Sequence, residues 1–350
     1  MEIVIFDAIY PLGHRGLNKK LVSIMSKDYN LILLNNNKFY KDVNFENVTI
    51  KNSRFVSYSN NNVWNIFLYL INVFIAWIAL FQNKFDKVIF FTFDTVGFFF
   101  CRFLFFNKNI SLFHHNNTDH LQNPMKRKIF SMYMNKVNHI VFAGYIKDYL
   151  VNEIKVDPSK VFVLTHPIID KCLVEKENDR SQQKESETIY IGLGYSNDQK
   201  IINDIIQYEE QTKILEEHNI KLILRSQINV FDSKNIKVIK GFLSREEYDQ
   251  YYNQSSGLIV LYPSYYKCRY SGSILEAFNS KKRVFGNKIP IVDFFSNNYP
   301  ENCIEFGSIR ELFEKLLYYR KISFSEKEYK SFLVFHSEEK IRKELISILL

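Results

Sequence analysis

Cysteine is scarce and scattered in this sequence. Cys101, Cys172, Cys268 and Cys303 stand far apart with no metal-ligand spacing, so a structural zinc site is not expected and a disulfide framework has no support. The opening MEIVIFDAIYPLGHRG has neither the basic leader nor the small-residue cleavage site of a signal peptide. The expectation is a cytoplasmic, reduced protein, in which Asn116-Asn117-Thr118 carries no glycosylation meaning. No RNP-type, zinc-finger or helix-turn-helix signature is present, so nucleic acid is not the expected partner. GxGxxG is missing too, which leaves a nicotinamide fingerprint unsupported. No Asp-x-Asp pair stands beside a strand end where a manganese ion would be held, so no metal is expected.

What is present is length, aromatic mass and an uneven charge. At 350 residues the chain exceeds one ordinary hydrophobic core, and two domains are expected. The 46% hydrophobic and 24% charged residues are those of a globular protein. The 32 Phe are dense over residues 81–113, giving the first half a greasy core or surface. The net charge of +8 lies wholly in that half: residues 1–172 hold 20 Lys+Arg against 12 Asp+Glu, and residues 173–350 hold 26 of each. Such a bias calls for an anionic partner surface, and the face of an anionic membrane suits it.

Short apolar runs at 2–6, 31–34, 87–93, 110–114, 139–142 and 161–164 read as buried strands. Helical stretches near 18–27, 64–81, 96–106, 124–136 and 145–153 alternate with them. That alternation implies a parallel sheet with helices on both faces. Residues 174–188, VEKENDRSQQKESET, lack any aromatic and read as a linker. Beyond it the pattern restarts, with strands at 189–192, 221–224, 236–240, 257–261 and 283–286 and helices at 199–217, 244–253 and 271–280. The expected domains are therefore 1–173, the linker 174–188, 189–335, and a terminal amphipathic helix 336–350 that packs back on the first domain. Residues 63–81, VWNIFLYLINVFIAWIALF, approach the length of a membrane span, but Asn65 and Asn72 interrupt them. A helix buried against a sheet, or one that touches a membrane, accounts for the pattern; a true span is the alternative.

The densest constellation is GLIVLYPSYYKCRYSGSILEAFNSKKRVFG at 257–286. A strand ends at Tyr262-Pro263-Ser264, and a helix opens near Ser271-Gly272. The free N–H groups and dipole of a helix start attract anions, and Gly272 lets a phosphate approach the backbone. Glu276, one turn on, shares that face and is placed to accept hydrogen bonds from ribose hydroxyls. Singly, Ser271 could merely cap the helix and Glu276 could be a solvated residue. In the first half, Gly13 and Gly16 follow strand one in PLGHRG, as a ligand loop or a plain turn. His114 and His115 follow a strand at the edge where open α/β sheets bind ligands. HHNNTDH at 114–120 also admits a metal reading.

The block at 257–286 resembles the second-domain signature of the GT-B glycosyltransferases, in particular their large retaining family numbered four. Pro263-Ser264, Leu275-Glu276-Ala277 and Lys282-Arg283-Val284-Phe285 fall in that family's order and spacing, and Gly241-Phe242-Leu243-Ser244-Arg245-Glu246-Glu247 is similar to its upstream segment. The likeness covers most of 189–320 and, more loosely, the whole chain. It implies two Rossmann-like domains with parallel sheets facing across a cleft, the acceptor on the first and the nucleotide sugar on the second. It implies transfer of a hexosyl group, with retention and without a metal, from a nucleotide sugar, a UDP-sugar foremost, to a saccharide or lipid-linked saccharide in bacterial-type surface polysaccharide synthesis. By the same likeness His115 contacts the donor sugar, with His114 as alternate. Ser271, Gly272, Arg269 and Lys200 face the leaving diphosphate, and Arg225 replaces a family Arg absent from Ile191-Gly192-Leu193-Gly194. Thr165-His166-Pro167-Ile168-Ile169-Asp170 is similar to a segment that shapes the hinge. One family Glu is missing, since Cys268 stands in its place. Two other classes stay open: a GT-B-like nucleotide-sugar epimerase, and a non-catalytic sugar-nucleotide binding protein. The expected location is the inner membrane face, peripherally.

Overall fold

The structure, a computed structural model, describes residues 2–7, 14–35, 40, 45–52, 62–80, 83–169, 187–194 and 196–350. Gly13, Cys172 and positions 174–186 of the expected linker lie outside the described residues. The chain divides into two compact units. One comprises Met1–Ile169, Cys268–Tyr270 and Phe335–Leu350, and the other Asp170–Lys267 and Ser271–Val334.

The first unit is built on seven strands: β1 (Glu2–Asp7), β2 (Asn30–Asn35), β3 (Val48–Asn52), β4 (Lys87–Thr92), β5 (Asn109–Phe113), β6 (Asn138–Val141) and β7 (Val161–Val163). Helices α1 (Arg15–Met25), α2 (Asn62–Leu80), α3 (Thr95–Cys101), α4 (Pro124–Ser131) and α5 (Gly144–Asp148) lie between them in sequence. All pairs are parallel, in the order β3-β2-β1-β4-β5-β6-β7. Period-two alternation sends Val4, Phe6, Val88 and Phe90 into one core layer and Ile3, Ile5, Ile89 and Phe91 into the other. Both faces are covered, which is why these strands read as unbroken apolar runs.

The second unit repeats the plan with β8 (Thr188–Gly192), β9 (Ile220–Ser226), β10 (Phe231–Asp232), β11 (Ile236–Lys240), β12 (Gly257–Val260), β13 (Arg283–Asn287) and β14 (Cys303–Phe306). Its helices are α6 (Gln199–Thr212), α7 (Arg245–Gln254), α8 (Gly272–Asn279), α9 (Pro290–Asn298), α10 (Ile309–Tyr319) and α11 (Glu326–Phe335). The order is β10-β11-β9-β8-β12-β13-β14, parallel except for β10 against β11. Capping residues set the helix starts: Asp198 for α6, Ser271 for α8, Ser308 for α10, and a full Ser244–Glu247 capping box for α7.

The final helix, α12 (Glu338–Leu349), belongs to the first unit, where Ile341, Leu345 and Leu349 complete the core layer shared with α1. Arg342 donates from Nε and Nη2 to the two Asp28 carboxylate oxygens, and the Glu344 carboxylate accepts from the Thr165 N–H at 2.7 Å. Several elements go beyond the sequence reading: β3, β10 and β14, and helices α9 to α11. Some expected helices are also shorter. The stretch at 96–106 is α3 followed by a 3₁₀ turn, and that at 124–136 stops at Ser131.

Helix α2 occupies the long apolar run. It buries Leu68, Tyr69, Asn72, Val73, Ala76 and Leu80. Tyr69 lies so close to α3 that a Cβ at Gly97 would fall 2.6 Å from its ring. Among the described residues no helix is long and apolar enough to cross a membrane.

Candidate functional site

In an open parallel sheet the ligand crevice opens at the carboxyl edge where strand order reverses. In the second unit that place is β8 beside β12. β8 closes on Gly192, with Gly194 just beyond, and the backbone is crowded: a Cβ at Gly192 would fall 2.9 Å from Leu224 and 3.1 Å from the Ile259 carbonyl oxygen. Asn197 secures the turn by donating Nδ2–H to the Gly192 and Arg225 carbonyls at 2.6 and 3.0 Å. After β12, Asn287 clamps Tyr262, accepting its N–H and donating to its carbonyl, both at 2.8 Å.

These clamps hold the start of α8. The Ser271 oxygen accepts from Ile274 N–H at 3.2 Å and lies 2.8 Å from the Tyr262 hydroxyl. A Cβ placed on Gly272 meets nothing within 4 Å, so the helix mouth opens onto free space. The first-turn amides therefore offer donors to an anion. One turn on, Glu276 is half-buried, with its Oε1 out of solvent contact, while Leu275 and Phe278 turn into the core. The Tyr248 hydroxyl donates to the Glu276 carboxylate at 3.4 Å. Burial pushes that phenol up to about 12, so it stays a donor throughout the ordinary pH range.

Arg225 is the next-to-last residue of β9 and is buried. Its Nε–H donates to the Gly241 carbonyl at 2.5 Å, its other arm to the Leu193 carbonyl at 3.4 Å, and its plane lies 4.9 Å from the Phe242 ring centre. It thus ties together the loops that follow β8 and β11. Lys200 is exposed in the first turn of α6. The second unit accordingly brings together Ser271, Gly272 and Glu276 on one helix, with Arg225 and Lys200 at the carboxyl edge of the same sheet.

The remaining sequence candidates lie in the first unit. Arg269 is ion-paired with Asp119, and both are largely buried. Asp119 also accepts the Cys268 N–H at 2.8 Å, and the Thr118 hydroxyl donates to the Cys268 carbonyl. Cys268 itself sits in the apolar core layer with Val4 and Phe90, where a glutamate side chain would have to be desolvated. Tyr270 stacks on His166 with ring centres 5.0 Å apart.

The two adjacent histidines have opposite surroundings. His139 Nε2 lies 2.7 Å from the Met134 carbonyl, so that nitrogen carries the proton and Nδ1 is the acceptor. His114 then donates from Nε2 to His139 Nδ1 at 2.9 Å. This leaves His114 Nδ1 as a bare, buried lone pair. His115 donates from Nε2 to the Phe91 carbonyl at 2.9 Å and stacks on His14 at 4.2 Å. Burial, then the neighbouring imidazoles, hold His115 well below the ordinary histidine range, so it is neutral. Gly16 lies in the first turn of α1, where a Cβ would stand 3.2 Å from Ile169. His114 and Asp119 of the HHNNTDH run are engaged with other groups, and among the described residues no group of three His, Cys, Asp or Glu is placed to hold a metal ion.

Sequence reasoning overlooked Asp7 at the end of β1. It is fully buried and accepts from Asn18, Tyr40 and Thr92, each at 2.9 Å, yet burial outweighs those bonds and raises its carboxyl above the usual range. Tyr248 and Asn287 were overlooked as well. The available signal for Asp7 was a charge closing an otherwise apolar strand.

Solved structures share this architecture. HepE of Anabaena, solved with UDP, matches over 100% of this chain and 99% of its own with a TM-score of 0.66 at 11% identity. The lipopolysaccharide outer core galactosyltransferase WaaB, in its apo form, matches over 100% and 99% with 0.61 at 13%. The fold is GT-B. The same likeness extends to the UDP-GlcNAc 2-epimerase of Methanocaldococcus jannaschii, over 100% and 99% with 0.58 at 14%. No family model matches the chain, and no curated protein does.

Proposed function

We propose that this chain is a glycosyltransferase that moves a hexosyl group from a nucleotide sugar to a saccharide or lipid-linked saccharide acceptor. The observation that carries the reading is the start of α8: open space at Gly272, a Ser271 cap, and Glu276 one turn beyond. The nucleoside diphosphate would sit with its pyrophosphate on the first-turn amides and a ribose hydroxyl on Glu276. The chemical task is to stabilise a leaving group that gains negative charge. Preorganised N–H donors and a helix dipole do this without reorganising as the bond breaks. Lys200 would add positive charge, Arg225 would hold the surrounding loops, and neutral His115, whose Nε2–H is taken by the Phe91 carbonyl, would accept a hydrogen bond from a sugar hydroxyl at Nδ1. Gly16, in the first turn of α1, would lie beside the acceptor.

The likeness of the 257–286 block to the family-four enzymes supports retention at the anomeric carbon, metal independence and a UDP-sugar donor. The +8 charge of residues 1–172 supports an acceptor presented at an anionic inner membrane face in bacterial-type surface polysaccharide synthesis. An epimerase acting on a nucleotide sugar is the second reading, favoured by the shared fold of the 2-epimerases. The two separate in one assay. The chain is incubated with a panel of UDP-sugars, with and without lipid-linked acceptors, and UDP and sugar isomers are quantified. Acceptor-dependent UDP release supports transfer. A new sugar isomer or UDP release without acceptor supports epimerisation, and binding without turnover leaves a sugar-nucleotide binding protein.

A further inference from the structure

Helix α2 has two apolar sides, and only one is accounted for by the core. Trp64, Phe67, Phe74 and Ile78 are each more than half exposed. At about 100° per residue they fall within about 80° of arc, a solvent-facing stripe running about 21 Å along the helix. Aromatic stacking orders it, with Trp64 on Phe67 at 5.4 Å and Phe74 on Trp77 at 5.9 Å. The next helix continues the pattern. Helix α3 packs on α2 over the same face of the sheet, and the turn that follows it exposes Phe103 and Phe106.

A water-facing surface of Trp and Phe at this density marks an interaction site. The charge nearby selects the occupant. Residues 62–80, 95–106 and 124–132 contain no acidic residue, whereas Arg102 follows α3 and Lys126, Arg127 and Lys128 lie on α4, which packs against α3. Apolar rings beside cations, on a helix unable to span, describe an element lying in the plane of an anionic bilayer with its outer side among the acyl chains.

We infer that the outer side of α2 and the α3 turn form a lipid-docking face that seats the first unit on an anionic membrane. This extends the proposal of a membrane-presented acceptor by naming the surface and its lipid partner, and it rests on that reading only for its purpose. Insertion of the rings supplies the apolar term. The α4 cations add attraction that fades as salt shortens the Debye length from about 10 Å at 0.1 M to about 3 Å at 1 M.

The test is flotation of the full chain with phosphatidylcholine vesicles, with and without phosphatidylglycerol, alongside sedimentation velocity and UDP titration. The wild-type chain should float with the anionic vesicles and less so in 1 M salt. Phe67→Ser/Phe74→Ser should lower the partition by about tenfold or more, and Lys126→Gln/Lys128→Gln should lower it on anionic vesicles alone. All three proteins should keep the same circular dichroism and the same UDP affinity, since these side chains are on the surface. Wild type that does not float, or Phe67→Ser/Phe74→Ser that floats like wild type, overturns the inference. So does a wild-type dimer that this pair converts to monomer without a change in flotation, which would assign the stripe to a second copy. Loss of UDP binding with flotation intact would strike the proposed function and leave the lipid face standing.

Discussion

Gly272 and Gly192 show how one residue type serves two ends. Nothing lies within 4 Å of a Cβ built on Gly272, so Gly272→Ala should fold normally and gain slightly in helix propensity. If a phosphate rests on that backbone, the added methyl will obstruct it. The expected outcome is an unchanged melting temperature with UDP affinity reduced by an order of magnitude, read by calorimetry. Gly192→Ala should do the reverse and melt early, because its Cβ would meet Leu224 and the Ile259 carbonyl. Tyr248→Phe removes one donor to Glu276 and should weaken UDP binding by roughly threefold to tenfold, the size of one ordinary hydrogen bond. That Ser271 caps a helix carrying Gly272 and Glu276 was legible in the sequence, because spacing along a helix fixes which residues stand one turn apart. Asp119 as the partner of Arg269 was not, since the two are joined only by tertiary packing.

At the scale of elements, magnitudes rank the forces that hold α12 in the first unit. Its ion pairs, Lys27 with Glu338 and Arg342 with Asp28, are partly exposed and each contributes about 0–1 kcal/mol. Its apolar side contributes more: Leu345→Ala should cost about 2–5 kcal/mol in thermal or denaturant unfolding, whereas Arg342→Ala should cost under about 1 kcal/mol. If Arg342→Ala proves the more damaging, the ranking is wrong. The capping box of α7 is a smaller element-level feature, and Ser244→Ala should cost about 1 kcal/mol. Element legibility followed burial. Central strands such as β1 and β4 announce themselves by continuous apolar runs. The overlooked β14 is four residues, Cys-Ile-Glu-Phe, at a sheet edge, and β3 pairs at the opposite edge of the other sheet with a lysine in it. Edge strands need no apolar outer side, so their sequences carry less signal. The long α2 run was ambiguous because a helix with one buried and one exposed apolar side resembles a span.

At the scale of the molecule, buried imidazoles make the first unit acid-labile. Burial holds His139 at about 4, His166 at about 3 and His336 at about 4, against an ordinary value of 6.5. Between those limits the unfolded chain binds protons that the folded one refuses, so stability falls as pH drops below 6.5. Each such group removes up to about 1.4 kcal/mol per pH unit, and the three together on the order of 4. Asp7, raised by burial, acts with the opposite sign and offsets one of them in part. Melting temperature should therefore fall from pH 7 to pH 5, and His139→Phe should flatten the slope. A melting temperature that holds steady across this range would contradict the account. The two-unit plan itself was visible in the restart of strand-helix alternation near residue 189. The assignment of Cys268–Tyr270 to the first unit was not, because it depends on contacts between distant segments.

The central claim is that the α8 helix start in the second unit binds a nucleoside diphosphate, and calorimetric titration of UDP into wild type, Glu276→Ala and Glu276→Gln tests it most directly. Charge-assisted hydrogen bonds to a protected carboxylate contribute about 1.5–3 kcal/mol. Wild type should bind, Glu276→Ala should bind roughly tenfold to a hundredfold more weakly at unchanged melting temperature, and Glu276→Gln should fall between. Equal affinity in a well-folded Glu276→Ala protein would move the nucleotide away from α8 and contradict the glycosyltransferase reading built on it.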